Sequence, residues 1–504
     1  MSRLPLSDLL SDLTIYDSCG SPDVEVSGIS YDSRAVREGT AFFAIRGAHV
    51  DGHDYIQNAV EHGARAIVYT QTCPDLPETV VTVRVGDSRE ALSAAAAAWH
   101  GHPSAKLPCI GITGTDGKST TVHFLWQLLT QAGYRTGCIS TVYLSTGDTL
   151  EKNPFRQSTP EAPEIHGILR QMVDNGCMYA VVEATSHGLS PRTHRLSHVE
   201  WAGAVFTNLG HEHLEFHGSF EQYRADKCRL FSGLNDRAVR RPFGLVNEDD
   251  PSAPWFARAS TSPVTRISMS GRNADAQVRA ISQTDAGTSF ELSYAGEVIR
   301  SSIRIPGIYN VFNASAAALA AALVTGTPLP QLLSYAPDLR PPEGRMDEIH
   351  AGQPFRVIVD FAHTPGSFEA VLPMLRLTTR FRLIVVFGSA GERDTAKRSM
   401  QGAVADRLAD LIFLADEDPR GEEPESILRD IARGCERHTE GSDLFLIADR
   451  REAIRNAFQK AAAGDTVALL GKGHESSIIY SAGPRPWNES AVAREILHEM
   501  GYEA

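Results

Sequence analysis

The feature that most constrains this chain is the glycine-rich segment GITGTDGKST at residues 111–120. The apolar run 107–112 leads into it and is typical of a buried strand, and apolar residues then recur at helical spacing at Val122, Leu125 and Leu129. A glycine-rich turn between a strand and a helix directs backbone N–H groups at one point, where the helix dipole also favours negative charge. Lys118 adds a positive charge, and the Ser119 hydroxyl can ligate Mg²⁺. The segment therefore predicts a phosphate site for ATP.

The competing interpretation of this segment is a turn that binds nothing. The usual phosphate-loop pattern is G-x-x-x-x-G-K-[ST], whereas here the first glycine stands one residue early and position 112 is Ile. Strand, glycines, lysine, serine and helix are nevertheless all in place, which favours nucleotide binding. The residues expected to contact ATP are Gly114, Thr115, Asp116, Gly117, Lys118, Ser119 and Thr120.

The length of 504 residues exceeds what one hydrophobic core can organise, and we predict three domains at 1–107, 108–338 and 339–504.

The net charge of −14 argues against a nucleic-acid partner, because binding nucleic acid needs clustered Lys and Arg. Seven separated cysteines without a C-x-x-C pair are typical of reduced intracellular thiols. A signal-peptide pattern and a run of roughly 20 apolar residues are both missing. We therefore expect a cytoplasmic monomer without membrane insertion.

Two polar clusters stand out in the first predicted domain, YDSR at residues 31–34 and HVDG at residues 49–52. Asp, Ser and Gly commonly satisfy their own backbone in turns. Considered alone, both clusters favour turn chemistry over ligand binding.

The second predicted domain carries acidic and basic groups after its strands. The apolar run Tyr179–Glu183 ends in a carboxylate, and a strand that ends in an acid beside a phosphate loop is where a Mg²⁺ ligand is expected. His213 lies in a dense histidine cluster without zinc-type spacing, which favours a second ligand for a nucleotide-bound metal. Lys227, taken alone, is typical of a solvated surface lysine. Asn310 lies near the start of an alanine-rich helix.

Strand-like and helical runs alternate after a Pro- and Gly-containing linker at residues 341–345. The predicted strands are 355–359, Leu383–Phe387, Leu411–Leu414, 444–447 and 467–470. This alternation predicts a doubly wound, Rossmann-like parallel sheet. Polar or glycine-containing turns follow four of the strands, at 360–363, 388–394, 416–420 and 471–475. Because ligands gather at the carboxyl ends of such strands, these turns are expected to line one crevice.

Taken together, these segments resemble the Mur ligase family, and within it the members that form a muramoyl tripeptide. The matching segments are 32–34, 49–52, 111–119, 158–160, 183–188, 207–218, 223–227, 360–365, 393–398 and 471–475, together with Asn310 and Arg345. The resemblance spans almost the whole chain. It implies an α/β protein of three domains, with a mostly parallel central sheet of the P-loop ATPase type and a Rossmann-like C-terminal domain.

The resemblance also implies an activity, the ATP-dependent ligation of a diamino acid to the D-Glu γ-carboxylate of UDP-MurNAc-L-Ala-D-Glu. The carboxylate would first take the γ-phosphoryl group, and the amine would then attack the acyl phosphate. Mg²⁺ would be held by Ser119, Glu183, His213 and a carbamylated Lys227. The catalytic residues would be Lys118, Lys227, His213 and Lys397, with Asn310, Arg345 and Asp360 as further nucleotide contacts.

The same resemblance assigns the remaining contacts. The UDP-muramoyl dipeptide would be bound by Ser33, Arg34, His49, Ser158, Thr159, Ser186 and Arg195. Arg192 is a rival to Arg195, because the chain after Ser186 is slightly longer than usual. The free diamino acid would be received by Arg393, Asp418, Arg420, Gly471 and Glu475.

One departure concerns the acceptor. The motif Asp-Asn-Pro-Arg of diaminopimelate-adding members is Glu417-Asp418-Pro419-Arg420 here. Arg420 suits the distal carboxylate of diaminopimelate, whereas the added charge of Asp418 suits the distal ammonium of lysine or ornithine. If Asp418 pairs with Arg420, the arginine has less to offer a substrate carboxylate, which favours L-lysine or L-ornithine over meso-diaminopimelate.

Two other functions also use a phosphate loop. Folylpolyglutamate synthetase shares the phosphate loop, but its loop lies near the N-terminus, whereas more than 100 residues precede it here. A P-loop nucleotide switch of the GTPase type requires an Asn-Lys-x-Asp motif, which this sequence lacks.

Overall fold

The structure is a computed structural model that describes residues 3–47, 50–155, 157–210, 212, 214–234, 241–284 and 287–503, without the side chains of residues 214 and 215. The chain divides into two compact units. The first comprises Met1–Gln277 with Ala316–Leu332, and the second comprises Val278–Ser315 with Leu333–Ala504. The predicted three-domain boundaries stay a prediction.

The first unit begins with a five-stranded sheet. Its elements are β1 (Leu4–Pro5), α1 (Leu6–Leu9), β2 (Ile15–Cys19), β3 (Glu25–Val26), β4 (Gly28–Ser30), β5 (Thr40–Phe43), α2 (Ile56–Glu61), β6 (Ala66–Tyr69), β7 (Val81–Val85), α3 (Ser88–Trp99) and α4 (Pro103–Lys106). The strand order is β2-β7-β6-β5-β4, in which only β2 runs antiparallel to its neighbour. The short apolar runs at residues 66–69 and 81–85 predict two strands, and the alanine-rich run at 89–99 predicts a helix. The structure confirms them as β6, β7 and α3.

A larger sheet follows in the same unit, except that its last strand continues beyond Gln277 into the second unit. Its elements are β8 (Cys109–Thr113), α5 (Lys118–Gln131), β9 (Thr136–Ile139), β10 (Tyr143–Ser145), β11 (Glu151–Lys152), α6 (Ala162–Asp174), β12 (Tyr179–Glu183), α7 (Ser186–Leu189), β13 (Trp201–Phe206), α8 (Leu214–His217), α9 (Phe220–Ser232), β14 (Phe243–Asn247), α10 (Ala253–Ala259), β15 (Val264–Ser268) and β16 (Ala276–Thr284). The order is β11-β10-β9-β12-β8-β13-β14-β15-β16, and the pairs from β9 to β16 are parallel. Every residue of β8 and β12 is buried, as in a sheet covered on both faces.

The remaining elements are β17 (Gly287–Tyr294), β18 (Glu297–Ile303), α11 (Ile308–Thr325), α12 (Leu329–Ser334), β19 (Asp347–Ile349), β20 (Arg356–Asp360), α13 (Pro365–Thr378), β21 (Leu383–Phe387), α14 (Ala396–Leu408), β22 (Leu411–Leu414), α15 (Pro424–Ala432), β23 (Leu444–Leu446), α16 (Arg450–Lys460), β24 (Thr466–Leu470), β25 (Ser477–Tyr480), β26 (Gly483–Pro486) and α17 (Glu489–Glu499). The second unit contains a six-stranded sheet of order β19-β20-β24-β21-β22-β23. Its strands are parallel from β20 to β23, whereas β19 is antiparallel.

The mostly parallel α/β architecture confirms the predicted fold class. The five predicted C-terminal strands exist. Three of them differ from the prediction by one residue, β20 at both ends and β23 and β24 at one end. The antiparallel pair β17–β18 was not predicted, because its polar alternation lacks the buried apolar run that marked the other strands. By length and composition α11 could cross a membrane, yet 72% of its 18 residues are buried inside the protein, as in a core helix.

Candidate functional site

The phosphate loop joins β8 to α5 and lies near the middle of the large sheet, between β12 and β13. Gly114 and Gly117 have φ values of 151° and 82°, which only glycine adopts easily. A Cβ at Gly114 would lie 1.9 Å from Thr207 Oγ1, so the loop packs against β13 too closely for any side chain. Gly117 precedes α5 directly, which leaves the first N–H groups of the helix to face a ligand.

The segment after β13 holds this loop in place. Thr207 Oγ1 donates to Asp116 O at 2.6 Å, Asn208 Oδ1 accepts from Asp116 N at 2.9 Å, and Thr115 N donates to Asn208 O at 2.8 Å. The Lys118 ammonium folds back onto Thr115 O at 2.6 Å. Sequence reasoning gave Thr207 and Asn208 no role in the site, although their position directly after a central strand was the available signal.

Glu183 ends β12 beside α5 and is 1% exposed. Ser119 Oγ donates to Glu183 Oε2 at 2.9 Å, and Thr141 donates to both carboxylate oxygens, through its N–H at 2.8 Å and its hydroxyl at 2.9 Å. The structure therefore brings the predicted metal residues Ser119 and Glu183 into direct contact, and it adds Thr141, which sequence reasoning missed.

The donor set at this point suits Mg²⁺, which takes oxygen ligands and commonly uses one or two carboxylates plus substrate phosphates. Within the described part of the chain, no three His, Cys, Asp or Glu side chains form a metal-binding group. A hydroxyl and one carboxylate beside a phosphate loop still fit a cation that arrives with a nucleotide. The predicted ligand His213 lies outside the described residues.

Lys227 lies in α9, and its side chain is fully buried rather than solvated. Its Nζ donates to Gly114 O at 2.5 Å and lies 4.7 Å from the centre of the Tyr223 ring. Burial, and after it the nearby Lys118 ammonium, lower the pKa of Lys227 well below its ordinary value. The surface interpretation of Lys227 is therefore wrong. A buried lysine with a lowered pKa beside a phosphate loop is a candidate for chemistry.

Among the predicted muramoyl residues, Thr159 and Arg195 are in direct contact. The Thr159 hydroxyl lies 2.9 Å from Glu183 O, and the Thr159 carbonyl accepts from Arg195 Nη1 at 3.1 Å. Arg195 also pairs with Glu161 at 2.7 Å. The rival Arg192 is exposed, and it contacts the Phe216 carbonyl instead.

Other predicted substrate residues are less tightly grouped. Ser158 is half-buried beside Thr159, and Ser186 is buried at the start of α7. Asp32 caps a short turn that begins at Ser33, and it forms an ion pair with Arg34 at 2.7 Å. The Arg34 side chain is 86% exposed, so this pair is turn chemistry that leaves the guanidinium accessible. His49 lies outside the described residues.

The nucleotide contacts predicted for the C-terminal half all lie in the second unit. Asp360, at the end of β20, accepts from the N–H groups of Met346 and Ala362, both at 2.8 Å. The Arg345 guanidinium lies 4.3 Å from the centre of the Phe361 ring. Lys397 Nζ donates to His363 O at 3.2 Å, and Asn310 is buried and donates to Pro306 O at 2.9 Å. Arg345 Nε has no hydrogen-bond partner among the described residues.

The acceptor residues differ from expectation in one respect. Asp418 pairs with Lys472 at 2.8 Å, and no ion pair among the described residues joins it to Arg420. The expected pair of Asp418 with Arg420 is therefore wrong. Lys472, which sequence reasoning missed, also contacts Glu475 at 2.5 Å. Arg420 adopts a positive φ of 56°, and its buried Nε has no partner in the described part of the chain.

Two further carboxylates lie at the same loops. Glu417 is 6% exposed, and a Cβ at Gly471 would lie 3.0 Å from its Oε2. Burial raises the pKa of Asp416 to about 6. One buried oxygen of each, Glu417 Oε2 and Asp416 Oδ1, finds no hydrogen-bond donor among the described residues. Arg393 lies in the exposed loop before α14. An orphaned buried carboxylate oxygen is costly unless a ligand supplies a donor.

Comparisons with known proteins agree with this geometry. The profile described as "Mur ligase middle domain" matches residues 112–321, "Mur ligase, glutamate ligase domain" matches 344–473, and "Mur ligase family, catalytic domain" matches 25–100. A UDP-N-acetylmuramyl-tripeptide synthetase of Roseiflexus sp. (strain RS-1) is 45% identical, with 95% of this chain and 96% of the relative covered. The UDP-N-acetylmuramoyl-L-alanyl-D-glutamate--2,6-diaminopimelate ligase of Geobacillus kaustophilus (strain HTA426) is 37% identical over 96% of each.

Among solved structures, that of a UDP-N-acetylmuramoyl-L-alanyl-D-glutamate--2,6-diaminopimelate ligase superposes with a TM-score of 0.67 at 26% identity. It covers 99% of this chain and 100% of that chain. The similarity therefore includes the residues before the phosphate loop, which the folylpolyglutamate synthetase alternative did not explain.

The glycine contact in the phosphate loop yields a prediction. Gly114→Ala forces a methyl group into Thr207 and should raise the Kd for ATP roughly tenfold or more, because the loop and the 207–208 segment must separate. Isothermal titration with Mg·ATP measures this. Gly133→Ala, at the far end of α5, has φ +88° but no atom within 4 Å, and should cost about 1 kcal/mol of stability without changing the Kd. Equal Kd values for Gly114→Ala and wild type would contradict the assignment.

Proposed function

This chain belongs to the Mur ligase family of ATP-dependent ligases, and from that premise we propose that it ligates a diamino acid to UDP-MurNAc-L-Ala-D-Glu. The bond formed is an amide at the D-Glu γ-carboxylate, and the product is a muramoyl tripeptide used in peptidoglycan synthesis. The observation that carries the proposal is the grouping of Lys118, Ser119, Glu183 and Lys227 around one phosphate loop. The protein would act as a cytoplasmic monomer.

The phosphate loop suits the first step, in which the γ-phosphoryl group passes to the substrate carboxylate and makes it electrophilic. Both reactants are negatively charged, so the step needs positive charge held in place in advance. Lys118 and the N-terminus of α5 supply it. Ser119 and Glu183 would hold Mg²⁺, which neutralises phosphate charge when bound.

Lys227 is proposed to carry a carbamate. Only a neutral amine adds CO₂, and the lowered pKa of Lys227 increases its neutral fraction. The product is a carboxylate-like oxygen donor at a position where an ammonium could not ligate a metal. The distance of 2.5 Å from Nζ to Gly114 O supports this proposal, because a group on Nζ would lie beside the phosphate loop. With His213, it would extend the Mg²⁺ donor set beyond Ser119 and Glu183.

The muramoyl substrate is proposed to reach this site past Thr159 and Arg195. Thr159 contacts the Glu183 carbonyl, and Arg195 contacts the Thr159 carbonyl, so this chain of contacts links substrate binding to the proposed metal residue. Ser158, Ser186, Ser33, Arg34 and His49 would complete the binding of the UDP-muramoyl part. In the second unit, Asn310, Arg345, Asp360 and Lys397 would serve the nucleotide.

For the acceptor we favour L-lysine or L-ornithine over meso-diaminopimelate. An Asp418–Arg420 pair does not support this preference, because Asp418 pairs with Lys472 instead. The support comes from the buried acids near Asp418, above all from Glu417, whose Oε2 beside Gly471 has no partner among the described residues. A distal ammonium would donate to that oxygen. Arg393 would bind the α-carboxylate that every acceptor carries, and Arg420 is the group that would bind the distal carboxylate of diaminopimelate.

The activity is tested by mixing the enzyme with Mg·ATP, UDP-MurNAc-L-Ala-D-Glu and each of the three diamino acids. We expect phosphate release that requires both the dipeptide and a diamino acid, with kcat/KM higher for lysine or ornithine than for diaminopimelate. Phosphate release without either co-substrate would support a nucleotide switch instead. A strong preference for diaminopimelate would overturn the acceptor assignment alone.

Lys118→Ala should lower kcat by roughly 10²–10³-fold or more, because it removes a charge that stabilises the transferring phosphoryl group. The fold should survive, since the hydrogen bond of the Lys118 ammonium is to Thr115 O in its own loop. Phosphate release at saturating ATP measures the effect, and unchanged circular dichroism confirms the fold. Lys106→Ala, at the exposed end of α4, is the control and should keep wild-type rates. A near-normal rate for Lys118→Ala would refute the phosphate-loop role.

Lys227→Ala should be inactive and should recover in part when acetate is added, because a short carboxylate can take the place of the carbamate oxygen. Activity against acetate concentration is the measurement. Acetate should not restore Lys118→Ala, which lacks a cation rather than an anion. Full activity of Lys227→Ala without additive would show that no carbamate is needed.

A further inference from the structure

Lys472 lies between two carboxylates of the proposed acceptor pocket. We propose that Lys472 is a specificity-determining residue, a built-in ammonium that neutralises Asp418 and Glu475 and so limits how strongly the pocket favours a distal ammonium over a distal carboxylate. This inference rests on the proposed function and deepens it, because it concerns which diamino acid the same site accepts.

The ion pairs are tight, and the lysine that they share is buried. Lys472 Nζ lies 2.8 Å from Asp418 Oδ1 and 2.5 Å from Glu475 Oε2, and the lysine side chain is 0% exposed. Asp418 Oδ1 also accepts from Ile479 N at 3.0 Å. Burial opposes the charge, but the two carboxylates prevail and raise the pKa of Lys472 above its ordinary value. The ammonium is therefore a permanent part of the pocket.

The backbone keeps this lysine in place. Gly471 and Gly473 flank it with positive φ values of 103° and 48°. A Cβ at Gly473 would lie 2.7 Å from Phe361 Cβ, and a Cβ at Gly344 would lie 2.2 Å from His474 N. The turn is thus packed on both sides at glycines, and Lys472 cannot reach solvent without disrupting it.

The charge balance follows from these contacts. Without Lys472 the pocket would offer Asp418 and Glu475 to a ligand, in addition to the unpartnered Glu417 Oε2. Two uncompensated carboxylates would attract an ammonium and repel the distal carboxylate of diaminopimelate. When Lys472 neutralises Asp418 and Glu475, Glu417 and Arg420 are the groups that would contact the distal end of the diamino acid. Asp418 therefore adds less negative charge than its sequence position suggests.

Lysine and meso-diaminopimelate form a matched pair of probes, since they differ by one distal carboxylate. The enzyme is given both acceptors at equal concentration with Mg·ATP and UDP-MurNAc-L-Ala-D-Glu, at about pH 8.5 so that uncovered carboxylates stay ionised. The ratio of the two tripeptide products is measured by mass spectrometry. Lys472→Met should lower the ratio of diaminopimelate to lysine product by about tenfold or more, and Asp418→Asn should raise it by a similar factor.

The double variant Asp418→Asn with Lys472→Met should return the ratio to within about threefold of wild type, because it removes one charge of each sign. Lys472→Arg keeps the charge and should keep the ratio. A lysine with a merely structural role would lower both products equally in Lys472→Met, and this result would overturn the inference. A double variant that stays as far from wild type as either single variant would do the same.

Two controls separate the possible failures. Arg382→Met removes the cation paired with the buried Asp465 at 2.7 Å, at the opposite end of β24, and should leave the product ratio unchanged. If Lys472→Met does not fold, the Asp418→Asn and double variants still decide the question, because the double variant leaves only one of the two carboxylates, that of Glu475, without its ion pair. If wild type ligates neither acceptor, the proposed function fails. If wild type ligates both acceptors but the product ratio is the same in the Lys472 and Asp418 variants, only the proposed role of Lys472 fails.

Discussion

The approach of Gly114 to Thr207 is the constraint on which the first unit depends. A Cβ atom at position 114 would lie 1.9 Å from the Thr207 hydroxyl oxygen. The phosphate loop can therefore pack against the segment that follows β13 only because residue 114 is glycine. The same residue accepts the Lys227 hydrogen bond through its carbonyl. The Lys118 ammonium donates to the Thr115 carbonyl, and the Ser119 hydroxyl donates to the Glu183 carboxylate. Each reactive group is thus positioned relative to one turn of backbone.

Two buried lysines show how neighbouring groups determine the pKa of a lysine and therefore the role that it suits. Lys227 has a backbone carbonyl as its hydrogen-bond acceptor and another lysine nearby, and its pKa is lowered, first of all by burial. Lys472 is also buried, but two carboxylates raise its pKa. The first is prepared to lose a proton, which suits covalent modification. The second is prepared to keep it, which suits a fixed counter-charge.

A buried guanidinium supports the loops around Lys472. Arg450 pairs with Glu489 at 2.6 Å, and it donates to the carbonyls of Asp416 at 3.1 Å and Leu470 at 2.8 Å. These carbonyls begin the two turns that carry Asp418 and Lys472. Because the guanidinium is fully buried, its donors have no water to replace these partners. The relative position of the two acceptor turns therefore depends on a residue that lies behind them.

Local sequence determined the elements and the chemistry of the first site. Continuous apolar runs predicted β12, β21 and β22, and the order of strand, glycines, lysine, serine and helix predicted the phosphate loop, since hydrophobic periodicity and glycine conformation are local properties. Family resemblance identified Lys227, which local pattern alone placed on the surface. Only the tertiary structure decided which charges meet. Thr141 contacts Glu183 across 42 residues, and Lys472 contacts Asp418 across 54. No local rule predicts such pairs, because a side chain's partner depends on where the sheet places another loop; sequence therefore named Asp418 but assigned it the wrong partner.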